Sequence, residues 1–268
     1  MTFKADTMPW SSQLEEDCTK LAADAETADD EILIAMVKVS KVCVQATEVY
    51  RCLFEAPEKG SHAIMHISPL KRALDELRES LSARQMQHRT VTAYFYAAEV
   101  AIYEIAILQP PTNFNELFDH KRIDCLMSCV QICKLWAEYY LASDIVHMTM
   151  ATGLTFSYCI KVLHKLSTLQ DPNWDTGIVR GSVDLVDLFL QCAAVADACN
   201  ERLKVETGED SVFRFAAKTL RDTAPSWKVM GTQETQAVEV NGWAGVEAMD
   251  LPPIDFSDDF WLNAPFNL

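Results

Sequence analysis

The chain has 268 residues, enough to bury a sizeable core, with 49% hydrophobic residues and a mean hydropathy of -0.01, ordinary values for a globular domain. Its formal charge is -16, and the acids crowd the two ends: residues 1–31 and 225–268 set only Lys4, Lys20 and Lys228 against them, while the middle is close to neutral. Such a distribution excludes nucleic-acid binding by this chain itself, because affinity for a phosphate backbone needs clustered Lys and Arg.

The opening Met1-Thr2-Phe3-Lys4 lacks the apolar run and cleavage site of a secretory peptide, so an intracellular protein is expected. Gly and Pro are few and clustered, with none between Pro111 and Gly153, which points to helices instead of a sandwich or barrel. Ser12-Gln13-Leu14-Glu15 has the spacing of a capping box and opens a first short helix. Asp29, Asp30 and Glu31 place negative charge at the start of a second, which runs to about Phe54 on an apolar stripe through Ile32, Ala35, Met36, Val39, Val42, Cys43, Ala46 and Val49. Ala56-Pro57 breaks the chain, and Ser68-Pro69 predicts the N-cap and first turn of a third helix over 69–84.

A fourth helix, 88–108, holds the most apolar stretch, Val91 to Leu108, which carries Glu99 and Glu104 and is therefore expected to be a buried helix, not a membrane span. A fifth helix is expected over 114–142 and a sixth over 144–168. The turn Asp171-Pro172-Asn173-Trp174-Asp175 follows, then a seventh helix over 178–205 and an eighth over 210–222. The pattern is all-α: a single domain of about eight helices packed as antiparallel pairs over residues 1–224. Residues 225–249, polar with Gly and Pro and without helical period, have the composition of a flexible linker, and 250–268 form an acidic, aromatic tail.

Several segments together resemble the middle homology region of fungal Zn2Cys6 (zinc-cluster) transcription factors. Leu74-Asp75-Glu76-Leu77-Arg78-Glu79-Ser80-Leu81 is similar to a short amphipathic helix of that family. The aromatic-rich stretch from Thr90 to Ala106, ending in Tyr103-Glu104, resembles the helix that follows it, and Arg122-Ile123-Asp124-Cys125-Leu126 resembles the family's helix of small residues around a Cys. Leu166 through Asp175, with Val179-Arg180 and Val183-Asp184-Leu185 beyond it, resembles a recurring Trp-Asp turn and helix, and Asp258-Asp259-Phe260-Trp261-Leu262 resembles the acidic-aromatic C-terminus of many members. The six-cysteine cluster that defines the family is absent from this sequence, so the chain is expected to be a piece of a longer factor without its DNA-binding domain, the alternative being a standalone relative that has lost DNA binding. The resemblance implies a regulatory role in the nucleus, or in nucleus and cytoplasm, with zinc confined to that absent domain and no cofactor here.

The nine cysteines include no C-x-x-C pair, so they are expected to be reduced thiols used as small apolar fillers, with no metal site. Leu126, Cys129, Cys133, Trp136 and Tyr140 recur at steps of 3 and 4 on one face of the fifth helix, and Cys125, Cys129 and Cys133 form an i, i+4, i+8 ladder. Core packing is the bland account of that ladder; a thiol sensor is the functional one, and it needs exposed, low-pKa thiolates. Glu99 and Glu104 point about 140° apart, and a buried one must find a donor, with Arg89, Arg122 and Arg180 as candidate partners. His62 and His66 lie in a loop without a third metal ligand, and no catalytic motif of the G-x-S-x-G, P-loop, G-x-G-x-x-G or H-E-x-x-H type occurs, so an enzyme is not expected.

The candidate effector site is Tyr94, Tyr103, Glu104, Cys129, Cys133, Trp136 and Tyr140, taking a small organic effector. The candidate partner-binding segment is Phe256, Asp258, Asp259, Phe260, Trp261 and Leu262, whose aromatics would anchor in a coactivator groove while the aspartates keep the segment extended. Alternatively, Phe260, Trp261 and Leu262 dock onto the chain's own helices, and a tail docked at rest and released by an effector would be a switch. Together these predict a sensing and transactivation region in which an effector controls exposure of the tail. The alternative is a helical scaffold that serves homodimerisation or coregulator binding without a small ligand.

Overall fold

The computed structural model describes residues 10–111 and 116–233, and its regular structure among them is entirely helical, as the sequence pattern predicts. The helices are α1 (Ser12–Ala23), α2 (Ala28–Glu55), α3 (Ile67–Ser80), α4 (Ala83–Gln87), α5 (Arg89–Glu104), α6 (Glu116–Ala142), α7 (Met150–Thr168), α8 (Thr176–Ser182), α9 (Leu185–Thr207) and α10 (Val212–Gln233). Short 3-10 segments, Pro57–His66, Ile105–Leu108 and Ile145–His147, join some of them. The chain divides into two compact units, one built from Asp6–Tyr139 with Met148–Ser182, the other from Tyr140–His147 with the described part of Val183–Leu268.

Local chemistry explains where the helices begin, and in several places it differs from the pattern read along the chain. The first cap is Ser11, not Ser12: its side chain accepts from the Leu14 N–H. Thr27 and Asp30 form a reciprocal capping box at the start of α2, which satisfies two N–H groups that the helix leaves without partners. A second box, Ser82 with Gln85, opens the short α4, which stands where the third helix was expected to continue. Ser68-Pro69 lies inside the first turn of α3, a position that tolerates proline because the first-turn N–H groups have no intrahelical acceptor.

The expected seventh helix is two. Asp175 accepts from the Gly177 N–H at the start of α8, and Asp184 accepts from both Val186 and Asp187 to start α9 afresh. Ser182 caps neither, since its hydroxyl donates back to the Ile178 carbonyl. α10 passes through Pro225 and continues to Gln233, so residues 225–233 are helical where the composition suggested linker; residues 234–249 and the tail lie outside the described residues.

In the larger unit α5 is the central helix. Val91, Ala93, Phe95, Ala97, Ala98, Val100, Ala101 and Ile102 bury every side of it, mainly against α2 and α7. Arg89–Leu108 is long and apolar enough to cross a membrane by composition, yet two thirds of that stretch is buried within the fold and its two carboxylates are ion-paired there. The Asp171–Asp175 turn is fastened from three sides. Buried Arg122 of α6 makes a bidentate pair with Asp171 at 2.6 and 3.0 Å, the Trp174 indole donates to the Leu166 carbonyl at 2.8 Å, and Arg180 donates to the Ser167 carbonyl at 3.1 Å. Trp174 thus anchors its loop.

In the smaller unit α9 and α10 form a helical hairpin. The turn between them uses Gly208 at φ 82, a left-handed position that costs glycine little. Fully buried Asn200 holds the same turn: its amide donates to Asp210 and its carbonyl accepts from the Ser211 N–H and hydroxyl.

His164 of α7 is buried, and burial holds its pKa below the usual 6.5. Below that value the unfolded chain takes up a proton that the folded chain resists, so His164 makes stability fall as the pH falls. Urea unfolding midpoints between about pH 7 and pH 5 should therefore drop less steeply for His164→Gln than for the natural chain; parallel slopes would count against this account.

Candidate functional site

The apolar face of α6 forms as its spacing predicts. Leu126, Cys129, Cys133 and Trp136 are all 0% exposed. The Cys129 thiol faces the Val100 carbonyl of α5 at 4.0 Å, and Cys133 and Cys159 of α7 each direct the thiol at the other's carbonyl, at 3.9 and 3.7 Å. Trp136 stacks on Tyr96 at 6.3 Å between ring centroids and meets Phe156 edge-on at 6.0 Å. Its buried Nε1 makes no hydrogen bond.

Hydrogen bonding to Cys133 together with burial pushes the Cys129 thiol well above the usual range, and burial does the same to Cys133. Burial also pushes Cys125 up to about 11. These side chains remain protonated and pack helix against helix, which is the bland account of the ladder.

Both carboxylates of α5 are buried, and each is answered by cations other than the arginines the sequence suggested. Glu99 receives Lys71 and Arg78 of α3, each at 3.1 Å. Arg78 also lies over the Phe95 ring, 4.8 Å from its centroid, and Lys71 bonds Asp75 at 2.6 Å. Glu104 receives Lys165 of α7 at 2.5 Å and a short hydrogen bond from the Tyr158 hydroxyl. Lys165 in turn reaches the Tyr50 hydroxyl of α2 at 3.5 Å and lies 5.3 Å from the centre of that ring. Burial alone would lower the Lys165 pKa, but the Glu104 carboxylate outweighs it and the value is raised. One buried charge therefore ties α2, α5 and α7 together, with the lysine stem running out to the surface. Of the expected partners, Arg122 pairs with Asp119 and Asp171, and Arg180 binds a backbone carbonyl.

The remaining candidate residues stand apart from one another. Tyr94 is half-buried, its phenol pushed up by burial and then by nearby Cys43 of α2. Tyr103 lines an open groove of about 560 Å³ between α3 and α6, with Lys71, Arg72, Asp75, Asp124 and Cys125. Tyr140 belongs to the smaller unit, where burial raises its pKa and Cys192 and Cys199 lie nearby. The structure thus brings Glu104, Cys129, Cys133 and Trp136 into one packed interior and leaves Tyr103 as the member that meets a groove. Phe256, Asp258, Asp259, Phe260, Trp261 and Leu262 lie outside the described residues. Lys165, Tyr158 and Tyr50 escaped the sequence reading because lysine and tyrosine in amphipathic helices give no signal of pairing with a carboxylate more than 50 positions away.

The fold and these clusters define an all-α domain whose buried charges tie helices together. Among the described residues no group of three or more His, Cys, Asp or Glu is placed to hold a metal ion. Residues 126–267, just over half of the chain, match the model of the ATEG07667_C family, described as a C-terminal domain, and the chain belongs to that family. It is 21% identical over 211 residues to a protein named Transcription factor opdL from Penicillium oxalicum, a match that covers 75% of this chain and 37% of that protein. It is 22% identical over 236 residues to a protein named Transcription factor from Aspergillus terreus, covering 81% of this chain and 40% of that protein. The chain therefore spans about two fifths of the length of the curated relatives it matches. No solved structure matches it.

Two outcomes follow from the geometry. Lys165→Met should destabilise the chain by about 1–3 kcal/mol, because it leaves the buried Glu104 charge with only the Tyr158 hydroxyl to answer it, while the double variant with Glu104→Leu should recover most of the loss. Urea unfolding of the single and double variants measures this, and simple additivity would contradict it. In a thiol-reagent time course, Cys129, Cys133 and Cys159 should stay unreactive until the protein is denatured, whereas exposed Cys52 reacts in the folded state.

Proposed function

We infer that this chain is the regulatory and transactivation region of a fungal transcription factor, acting in the nucleus. The observation that carries this reading is the long match to two proteins named as transcription factors, covering 75% and 81% of the chain, together with membership of a C-terminal-domain family. The resemblance of the segments from Leu74 to Asp175 to the zinc-cluster middle homology region points the same way, and the zinc-cluster DNA-binding module would lie in the part of the longer factor that this chain does not span. The acidic charge of the chain supports a division of labour in which another module holds the DNA and this one receives the signal.

In this reading the tail, residues 250–268, recruits a coactivator through Phe256, Phe260 and Trp261, and a small organic effector bound to the helical body shifts the population in which the tail is available. A second reading, a scaffold for homodimerisation or coregulator binding without a small ligand, is favoured by one observation. Cys129, Cys133 and Trp136 expose no surface on which a ligand could rest.

Two measurements separate the readings. With the chain fused to a foreign DNA-binding module, Phe260→Ala with Trp261→Ala should lower reporter output at least tenfold, the loss expected when two aromatic anchors of an interface are removed; unchanged output would remove the transactivation role. A thermal-unfolding screen against small organic compounds should give a shift of about 2.7 kcal/mol for an effector at 100 times its Kd. No shift from any compound would leave the scaffold.

A further inference from the structure

On a chain this acidic, the outward face of α10 has the opposite character. Among its described side chains the exposed ones are Arg214, Phe215, Lys218, Arg221, Asp222 and Pro225. At 100° per residue, Arg214, Lys218 and Arg221 fall within about 60° of one another, and Phe215 and Asp222 border them on one side. Arg214 and Arg221 share a single carboxylate, Asp197 of α9, which lies 3.6 Å from Arg214 and is hydrogen-bonded by Arg221. Arg214, Lys218 and Arg221 thus face two carboxylates, Asp197 and Asp222, and leave a modest positive surplus on this face. Phe215 places an aromatic ring beside the cations with 51% of its surface exposed. This face therefore offers what an acidic, aromatic segment needs: cations for carboxylates and a ring for rings.

Residues 250–262 of the same chain have that chemistry, with Asp250, Asp255, Asp258 and Asp259 interleaved with Leu251, Ile254, Phe256, Phe260, Trp261 and Leu262. They are within reach. Asp250 is 17 positions beyond Gln233, a length of chain that spans at most about 60 Å, and α10 is about 33 Å long. A contact within one copy would be made at an effective concentration on the order of millimolar, so weak charge pairs suffice. The family match, moreover, runs unbroken from 126 to 267 and takes in α10 and the acidic segment together.

We propose that the Arg214–Lys218–Arg221 face of α10 is the docking surface for the chain's own acidic-aromatic segment, residues 250–262. Docked there, the segment keeps Phe256, Phe260 and Trp261 from a coactivator; released, it presents them. The docking stands on charge and reach alone, while its regulatory meaning rests on the transactivation reading above.

The test uses the full chain in an equimolar mixture of isotopically labelled and unlabelled copies. A carbodiimide, which joins a lysine amine to a carboxylate in direct contact, should link Lys218 to Asp255, Asp258 or Asp259 within one copy. Lys218→Arg should abolish the link, because a guanidinium does not couple, while keeping the segment as resistant to chymotrypsin after Phe256, Phe260 and Trp261 as in the natural chain. Lys218→Glu should speed that cleavage about fivefold, the factor expected for disrupting one exposed charge pair. Links found only between copies would overturn the proposal in favour of a second copy as occupant, and so would the absence of links with unchanged cleavage. The reporter assay keeps the two ideas apart. Links within a copy with a reporter insensitive to Phe260→Ala and Trp261→Ala would leave the docking standing and remove transactivation. A sensitive reporter without such links would do the reverse.

Discussion

Two carboxylates on the most apolar helix of the chain set the terms on which its neighbours pack. α5 is buried on nearly every side, so Glu99 and Glu104 cannot reach bulk water and each must meet positive charge inside the fold. Glu99 fixes where α3 lies, because only there can Lys71 and Arg78 both arrive; Glu104 fixes α7 and α2 through Lys165, Tyr158 and Tyr50. A buried ion pair of this kind adds little net stability over a well-packed apolar pair, but losing one partner is costly. Its effect is therefore on specificity: helices that could slide along an apolar face are held in one register.

The cysteine and aromatic faces complete that arrangement. Cys129, Cys133 and Cys159 are small, polarizable side chains where α6 packs against α5 and α7, and their thiols face backbone carbonyls of the neighbouring helices. Trp136 fills the wider space between Tyr96 and Phe156. The same residues that give the sequence its aromatic, thiol-rich character are spent on packing. The surfaces that this packing leaves open include the Tyr103 groove and the outward face of α10.

That placement bears on how such a region would transmit a signal. On the docking proposed above, the basic face of α10 would hold or release the acidic segment with a modest change in charge or salt, since exposed pairs are individually weak and easily screened. The ties in the larger unit are the opposite: their carboxylates are buried, so losing a cation is costly and salt screens the pairs less. A regulatory device built from both has a rigid body and a labile latch.

The sequence by itself determined the class of fold, because apolar residues at steps of three and four without interruption have one economical solution, a set of amphipathic helices around a common core. It also determined the face of α6 that is buried and the start of α2, since each depends on neighbours close in the chain. Only the tertiary structure decided which cations answer Glu99 and Glu104: Lys165 lies 61 positions from Glu104, and the local pattern around it is that of any solvated lysine. The break at Asp184, the extra turn of α4 and the passage of α10 through Pro225 were likewise invisible, because a cap or a tolerated proline is chosen by small local energies that tertiary packing readily tips. Periodicity names the face that must be hidden. What meets that face is settled by contacts between residues far apart in the chain, which no local pattern encodes.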